Sequence, residues 1–425
     1  MKRFLIHFAR FGPYHHARLR AAHEVLAPLG WEVIGLEIAG MDATYAWDET
    51  KSSADDPRVI TAFPGRVHEE IKAPEYRKIL YPLLDSLKPD AMAIAGWGST
   101  DAVMCLSWCR KHEVRGIGMS ETRAADGRRV WWKELAKRYL ISRFDGALVG
   151  AKSHRDYLIS LGMRPERIAF GYNVVENGYF AEECLKVRRS ESRKVERYFL
   201  GSNRFIERKN LLRLIEAYAR YVRRGQESED RGQETVNSIS NSKIENPQSS
   251  IVNQSPPWPL VLLGDGEQKP SLIAKCHELG LTVQETAPWE QSSISNLQSP
   301  ISSANGTVYF PGFRQIDELP RFYAHAGCFI HPALEEPWGL VINEAMACGL
   351  PVLSSNNVGA AEELVDDGVN GWTFDPNNVE EMANCMTKIS ALNFPLSAFS
   401  SASRRILEER APTIAFGKGL AGLLR

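Results

Sequence analysis

Two carboxylates stand in a segment, residues 331–352, whose pattern is strand, loop, helix and strand. A proline after Glu336 favours extended backbone there, and a glycine followed by a proline ends the helix after Glu344. The backbone amides of Gly339 and Leu340 are then expected at the start of the helix, where an anion can bind. The pattern predicts a site in which amides hold a phosphate and carboxylates accept sugar hydroxyls. A pair of solvated surface residues is the alternative for an isolated Glu pair.

A basic loop forms a second candidate site. The run GSNRFIERKN, residues 201–210, follows the apolar run Tyr198–Gly201 and precedes a helical pattern over 211–222. The loop contains the cations Arg204, Arg208 and Lys209, which could bind an anion. A solvated basic turn is the alternative, and Arg208 fits that alternative best.

Alternating strands and helices must position these residues. Short apolar runs such as 3–8, 91–95, 146–149, 260–264 and 328–331 are each followed by a helical pattern. Strand then helix, repeated, is typical of parallel sheets covered by helices on both faces. At about 100–200 residues per domain, the chain predicts two doubly wound α/β domains, over 1–175 and 190–395.

Two segments interrupt this alternation. Residues near 224–258 and 288–306 are polar and repetitive, so we expect surface insertions without chemistry. A functional interaction loop is the alternative for both.

Composition excludes several function classes. With 51 Lys+Arg against 52 Asp+Glu, the formal net charge is -1, which argues against a polybasic nucleic-acid binder. No apolar run approaches the roughly 20 residues needed to span a bilayer. The 7 cysteines form no CxxC pair and no Cys/His cluster. We therefore expect a cytoplasmic enzyme without a structural zinc.

The segment 331–352 resembles the signature of the retaining GT-B glycosyltransferases of family four, the glycosyl transferases group 1. The E-x7-E pattern of that family matches Glu336 and Glu344, and residues 359–365 and 368–374 resemble its following glycine-rich turns. The resemblance covers about 198–376 without the insertions. It implies two Rossmann-like domains facing a cleft, with the C-terminal segment 396–425 packing back on the N-terminal domain.

The resemblance also implies an activity. Such an enzyme moves a sugar from a UDP-sugar or GDP-sugar to an acceptor hydroxyl with retention of configuration, without a metal or a cofactor, in polysaccharide, lipopolysaccharide or glycolipid synthesis. A nucleotide-sugar epimerase and a non-catalytic nucleotide-sugar-binding protein are the alternatives.

Residue roles follow from the same resemblance. Arg204 and Lys209 would hold the donor diphosphate, Glu336 the hydroxyls of the donor sugar, and Glu344 the ribose. The other donor-binding residues it implies are Gly339, Leu340, Gly264, Gly312 and Phe313.

The N-terminal half is expected to bind the acceptor. Gly12, His15 and His16 follow the first strand, where the fold places a loop beside the cleft. The family's histidine after a middle strand is absent here, so Ser120 and Glu121 are the candidates instead. Solvated surface histidines are the alternative for His15 and His16.

Basic and aromatic residues alternate over 128–143. This pattern predicts peripheral contact with an anionic membrane at its cytoplasmic face. A core-packed helix with buried tryptophans and solvated charges is the alternative.

Overall fold

The computed structural model describes residues 1–41, 56–127, 129–191, 197–239, 256–290 and 306–425, with side chains up to 226 in the fourth range. Met1–Asn177 and Glu408–Arg425 form unit 1, and Gly178–Leu407 form unit 2. Each unit contains one 7-stranded sheet, and the pairs in both sheets are parallel. The predicted α/β class with two doubly wound sheets is confirmed.

Unit 1 follows the expected strand–helix alternation. Its strands are β1 (Lys2–Phe8), β2 (Trp31–Met41), β3 (Val59–Val67), β4 (Ala91–Ala95), β5 (Arg115–Ser120), β6 (Gly146–Val149) and β7 (Ile168–Phe170). Its helices up to residue 160 are α1 (Pro13–Leu26), α2 (Ala73–Leu87), α3 (Thr100–Lys111), α4 (Trp131–Ile141) and α5 (Lys152–Ser160). The strand order is β3-β2-β1-β4-β5-β6-β7, so the order reverses between β1 and β4.

Apolar side chains on both faces hold this sheet. Successive strand residues point to opposite faces. Accordingly Phe4 and Ile6 of β1 belong to one core cluster, together with residues of α1. Leu5 belongs to a second cluster, formed with α2 and α3. Polar groups are therefore accommodated mainly beyond the strand ends.

Unit 2 repeats the architecture. Its strands are β8 (Phe199–Ser202), β9 (Leu260–Leu263), β10 (Thr282–Gln284), β11 (Thr307–Gly312), β12 (Cys328–His331), β13 (Val352–Ser355) and β14 (Gly371–Phe374). The helices that follow α5 are α6 (Asn177–Ser190), α7 (Leu211–Ile239), α8 (Lys269–Glu278), α9 (Leu319–His325), α10 (Leu340–Ala347), α11 (Gly359–Leu364), α12 (Val379–Ser390) and α13 (Leu396–Arg410). The order β10-β11-β9-β8-β12-β13-β14 reverses between β8 and β12.

The C-terminal helix α14 (Ala415–Leu423) completes unit 1 by packing on α1. Two glycines permit this, because a Cβ on Gly417 would lie 2.2 Å from the Ala21 carbonyl oxygen and one on Gly419 would lie 2.4 Å from that of Phe170. The segment that joins unit 1 begins at Glu408, later than the expected 396. The difference arises because most of α13 packs in unit 2, where Phe399 lies against Trp372.

The first polar insertion is partly helical. Helix α7 continues to Ile239, well beyond residue 222, where the helical pattern of the sequence ends, so residues 224–239 of the insertion are helical. Arg, Gln and Glu are good helix formers, and they dominate 223–234. The remainder of this insertion, 240–255, and residues 291–305 of the second lie outside the described residues.

Two further features concern the chain as a whole. Over the described ranges, no helix is long and apolar enough to cross a membrane. Cys184 of α6 and Cys348, at the end of α10, form a disulfide with Cα atoms 5.8 Å apart. The sequence did not predict this pair, because 164 residues separate its members.

Truncating the docking face of α14 should destabilise unit 1. Phe416 is fully buried, and Phe416→Ala is expected to lower the free energy of unfolding by about 3–5 kcal/mol. Chemical denaturation would measure it. Phe170→Ala is the matched control, because Phe170 is 46% exposed in the same unit. Equal losses in the two variants would contradict the packing role of α14.

Candidate active site

The candidate site of unit 2 lies where the strand order reverses. In open α/β sheets, ligands bind outside the carboxyl ends of the strands at such a point. Strands β8 and β12 are neighbours there. The loop after β8 carries Arg204 and Lys209, and the loop after β12 carries Glu336. The topology therefore brings the two candidate loops of the sequence to one edge of one sheet.

Backbone contacts fix the two loops to each other. A single 3-10 turn, Glu207–Lys209, ends at Asn210, whose φ of 60° is left-handed. The Asn210 side-chain amide donates to the carbonyl oxygen of Pro332 at 3.0 Å. The Leu334 amide donates to the carbonyl oxygen of Arg208 at 2.8 Å. The cation and the carboxylate are thus held at a defined separation.

Lys209 and Glu336 form an ion pair at this edge. The Lys209 ammonium donates to Oε2 of Glu336, and both side chains are nearly buried. Burial lowers the pKa of Lys209, and the attraction of Glu336 offsets this only in part. Burial alone would raise the pKa of Glu336, but the Lys209 charge and its hydrogen bond, together with His331 and Arg208, outweigh it, so that the pKa of Glu336 lies below the ordinary value. Each charge depends on the other for compensation.

His331, the last residue of β12, was missed by the sequence analysis. It is fully buried, and its Nε2 atom lies 4.0 Å from Oε2 of Glu336. Burial, reinforced by the Lys209 charge, lowers its pKa to about 3, so the ring is neutral at physiological pH. The sequence feature that could have indicated His331 as a site residue is its place as a histidine at the end of an otherwise apolar strand.

Asn203 is a second residue that the sequence analysis missed. It follows β8 and is nearly buried, and neither polar atom of its side chain has a hydrogen-bond partner among the described residues. Since buried amides are usually paired, this amide is a candidate ligand contact. Its position directly before Arg204 was the available signal.

Two predicted glycines meet beside Asn203. The Gly264 amide donates to the carbonyl oxygen of Gly312 at 3.0 Å. Gly264 has a φ of +133°, and a Cβ there would lie 1.9 Å from the carbonyl oxygen of Asn203, so only glycine fits. Phe313 follows Gly312 and is 40% exposed. These residues line the carboxyl ends of β9 and β11.

The turn before α10 brings Gly339 next to Glu336. Gly339 has a left-handed φ of +97° and caps the helix, which begins at Leu340. A Cβ at Gly339 would lie 3.5 Å from Cγ of Glu336 and 3.6 Å from Nε2 of His331. Pro337 therefore precedes the helix, and the left-handed Gly339 separates it from the first helical residue.

Glu344 and Arg204 differ in exposure. Glu344 is fully buried in α10, and the Tyr323 hydroxyl donates to its Oε2 atom at 2.6 Å. That contact fixes α10 to α9, a structural contribution that the sequence did not predict. Arg204 is exposed in the loop after β8.

Three acceptor candidates lie at the start of α1 in unit 1. Gly12 caps α1 and donates its amide to Nδ1 of His15 at 3.0 Å. The His15 ring packs on Phe8 with centroids 4.2 Å apart. Burial lowers the pKa of both His15 and His16, with Arg18 contributing at His15 and Arg20 at His16. His16 is buried, so the alternative of a solvated surface histidine is wrong for it.

The other two acceptor candidates are the last residue of β5, Ser120, and the residue after it, Glu121. The Ser120 hydroxyl accepts from the Thr122 amide at 3.1 Å. The Glu121 carboxylate lies 3.9 Å from the guanidinium of Arg18, which is buried on α1 over the ring of Tyr172. Arg18 thereby links the acceptor candidates at the start of α1 with those at the end of β5. It was not predicted as a site residue, because in the sequence it lies within a helical pattern.

A polar cluster at the reversal point of the first sheet was also missed. Asp101, in the first turn of α3, lies 3.0 Å from Nε2 of His7 and 3.3 Å from Nε2 of His68. Burial opposes ionisation of Asp101, but its contacts with His68 and His7 bring its pKa well below the ordinary value. The described residues hold no group of three or more His, Cys, Asp or Glu placed to bind a metal.

A family model matches the segment that contains this site. Residues 295–406 match the family described as glycosyl transferases group 1. Sucrose synthase 6 of Arabidopsis thaliana is 53% identical over 55 residues, which are 13% of this chain and 6% of that protein. O-antigen chain mannosyltransferase B of Escherichia coli is 36% identical over 95 residues, 22% of this chain and 24% of that protein. The chain thus spans less than a quarter of the length of these two relatives.

The whole chain resembles solved glycosyltransferase structures. Anabaena HepE, crystallised with UDP and glucose, has a TM-score of 0.64 at 17% identity, with 100% of this chain and 99% of that chain covered. At this identity the likeness defines the fold, and the predicted GT-B fold is confirmed. The protein therefore has a GT-B fold, and its residues 295–406 match the glycosyl transferases group 1 model.

Breaking the ion pair on one side should destabilise unit 2. Lys209→Met leaves the Glu336 carboxylate without its partner, and we expect a loss of about 3 kcal/mol in the free energy of unfolding at neutral pH. Since pairing lowers the pKa of Glu336, its contribution is present above the ordinary glutamate pKa and is lost as the pH falls through the lowered one. Denaturation at several pH values should therefore show the deficit shrinking in acid.

The double variant Lys209→Met/Glu336→Gln is the control for this experiment. It removes both charges and should recover most of the lost stability. A Lys209→Met protein as stable as wild type near neutral pH would contradict the pairing.

Proposed function

We propose that the protein is a glycosyltransferase that moves a sugar from a nucleotide-sugar donor to an acceptor hydroxyl. The observation that carries this proposal is the meeting of Glu336, inside the group 1 segment, with Lys209 at the reversal point of the second sheet. An epimerase would convert the donor without any acceptor. A non-catalytic protein would bind the donor without transfer.

Cations after β8 would stabilise the leaving group. As the bond between the anomeric carbon and the phosphate oxygen breaks, negative charge develops on the nucleoside diphosphate. Lys209 and Arg204 would meet that charge, and fixed cations stabilise it without reorganisation. This assignment requires no metal ion.

Glu336 would accept hydroxyls of the donor sugar. The acceptor oxygen forms a bond to the anomeric carbon while its proton passes to the departing phosphate oxygen. Attack from the same face as departure gives retention of configuration. This route needs no side-chain nucleophile.

Backbone groups would complete the donor site. The amides of Gly339 and Leu340 would face the phosphate, and Gly264, Gly312 and Phe313 would lie against the nucleotide. Glu344 would hold the ribose, which requires its carboxylate to exchange the Tyr323 hydroxyl for the ligand. UDP-sugars and GDP-sugars both fit this scheme.

The acceptor would bind unit 1. Gly12, His15, His16, Ser120 and Glu121 are the residues proposed for it, and the Arg18 contact with Glu121 supports placing them together. The hydroxyl acceptor would be a saccharide or a lipid-linked saccharide of polysaccharide, lipopolysaccharide or glycolipid synthesis. A cytoplasmic location remains a prediction.

Helix α4 supports the predicted membrane contact through 128–143. Trp131, Trp132, Leu135 and Tyr139 are 76%, 55%, 55% and 60% exposed. Such exposure disfavours the alternative of a helix with buried tryptophans. Residue 128 itself lies outside the described residues.

The charges of α4 are arranged to suit an anionic surface. Its one acidic residue, Glu134, accepts from Lys137 at 2.8 Å and from the Tyr157 hydroxyl at 2.9 Å, and is thereby held toward α5. Lys133 and Arg138 remain exposed. Exposed rings and cations with an inward-held carboxylate are typical of helices that lie on anionic bilayers.

Substituting the two glutamates should separate their roles by ligand. Glu336→Gln is expected to slow transfer by roughly one to two decades, because a charge-assisted contact contributes about 1.5–3 kcal/mol. Binding of the free nucleoside diphosphate, which lacks the sugar, should hardly change. Glu344→Gln should weaken nucleoside diphosphate and donor alike. Calorimetric titration with both ligands measures this, together with a transfer assay.

Glu335→Gln is the control, because it changes a neighbouring carboxylate that has no assigned role. Equal loss of nucleoside diphosphate affinity in the Glu336 and Glu344 variants would refute the division of roles. Wild-type transfer by both would refute the donor site.

Reversing the two exposed cations of α4 should abolish membrane contact. Near an anionic surface each Lys or Arg contributes about 1 kcal/mol. Lys133→Glu/Arg138→Glu should therefore lower binding to phosphatidylglycerol vesicles at least tenfold in a flotation assay. Lys78→Glu/Lys111→Glu, the same charge change elsewhere on unit 1, should bind like wild type. Failure of wild type to float with these vesicles would refute the contact.

A further inference from the structure

The buried ring of His331 has no hydrogen-bond partner among the described residues of the site. Within the described ranges neither ring nitrogen makes a hydrogen bond, although the side chain is fully buried. Its Nε2 atom lies 4.0 Å from Oε2 of Glu336, about an ångström beyond a normal hydrogen bond of ~3 Å. Because buried polar groups are nearly always paired, such a ring is expected to gain a partner in another state of the protein.

The nearest acceptor is already engaged by Lys209. The Lys209 ammonium contacts Oε2 of Glu336, the same oxygen that faces the ring. The positive charges of Lys209 and Arg208 both disfavour a positive charge on the His331 ring. In this state the Lys209 ammonium compensates the charge of the Glu336 carboxylate, and the His331 ring lies beside the carboxylate without a hydrogen bond to it.

A bound diphosphate would change that balance. Under the proposed function its negative charges attract the Lys209 ammonium and simultaneously repel the Glu336 carboxylate. A shared cation compensates each anion less well, so the carboxylate needs another donor to stay ionised. A neutral imidazole meets this need, because its Nε2–H donates without bringing a charge that would compete for the phosphate.

We propose that His331 is a positioning residue that replaces Lys209 as the hydrogen-bond donor to Glu336 when Lys209 binds the diphosphate of the ligand. The Nε2–H group then donates to Oε2 and keeps the carboxylate directed at the sugar hydroxyls. His331 does not itself touch the ligand. This inference rests on the proposed function and adds a residue to its donor site.

Gly339 leaves room for the exchange. A Cβ at this position would lie within van der Waals contact of both partners, 3.6 Å from Nε2 of His331 and 3.5 Å from Cγ of Glu336. Glycine therefore leaves space for the carboxylate to move about an ångström toward the ring. The exchange requires a side-chain rotation and no movement of the backbone.

The test measures binding of uridine diphosphate and guanosine diphosphate by calorimetry. His331→Leu removes the donor, so the diphosphate complex would contain an uncompensated Glu336, and affinity for the preferred nucleotide should fall at least fivefold. His331→Gln keeps an N–H donor at similar reach and should bind within twofold of wild type.

The decisive variant is His331→Leu placed in the Glu336→Gln background. There the carboxylate is absent, so the same substitution should have no further effect on nucleotide affinity. A merely structural histidine would weaken binding equally in both backgrounds. His325→Gln is the matched control, because His325 is also nearly buried and lies 2.7 Å from Glu191, but it belongs to α9 before β12.

Two outcomes overturn the inference while leaving the proposed function intact. One is wild-type affinity in His331→Leu, and the other is an equal loss with and without the Glu336 carboxylate. Failure of the wild-type protein to bind either nucleotide or their sugar conjugates would instead refute the proposed function, and the inference with it.

A spectroscopic measurement on the wild-type protein covers the case in which His331→Leu fails to fold. In ¹⁵N-histidine-labelled protein, His331→Gln identifies the ring signals of His331. Adding the preferred nucleotide should move the Nε2–H proton downfield and slow its exchange with water. Unchanged ring signals at saturating nucleotide would overturn the proposal.

Discussion

A parallel sheet covered on both faces places polar chemistry mainly at and beyond the carboxyl ends of its strands. Strands β6, β9, β12 and β13 have four residues each, and every one of these residues is buried. Their backbone groups are satisfied by the sheet, and their side chains by the helices. Most of the polar residues described above lie at or beyond the carboxyl ends of β8 and β12 in one unit and of β1, β4 and β5 in the other. Both sets lie where the strand order reverses or next to it.

Charge compensation explains why the second site has its present form. A lysine and a glutamate that are nearly buried would each be costly alone, and each compensates the charge of the other in the pair. The neutral ring of His331 lies beside this pair, and the amide of Asn203 lies in the loop that carries Lys209; neither side chain has a hydrogen-bond partner among the described residues. Such a site is organised for a ligand at the expense of its own hydrogen bonding.

The sequence predicted the elements whose local pattern is unambiguous. Ala91–Ala95 and Cys328–His331 are continuous apolar runs, as buried parallel strands require, and both are strands. Strand β3 was missed, because Pro64 and Gly65 interrupt its apolar pattern. The pair of Lys209 and Glu336 lies beyond any local pattern, since 127 residues separate them. Each was a candidate by itself, but only the strand order brings them into contact, and the burial that leaves His331 unpaired is likewise a property of the assembled sheet.

The chain of unit 1 is discontinuous, which has a consequence for biosynthesis. Residues 1–177 leave the ribosome before unit 2, but the helix that covers β6, β7 and α1 is made only after unit 2. During translation of residues 178–407 the apolar surface around Leu148 and Tyr172 lacks Phe416 and Leu420, with which it forms a cluster in the finished protein. Unit 2 is continuous and can fold as soon as it emerges. The N-terminal unit is therefore completed last, and a nascent chain that stalls before residue 415 exposes a surface suited to chaperones.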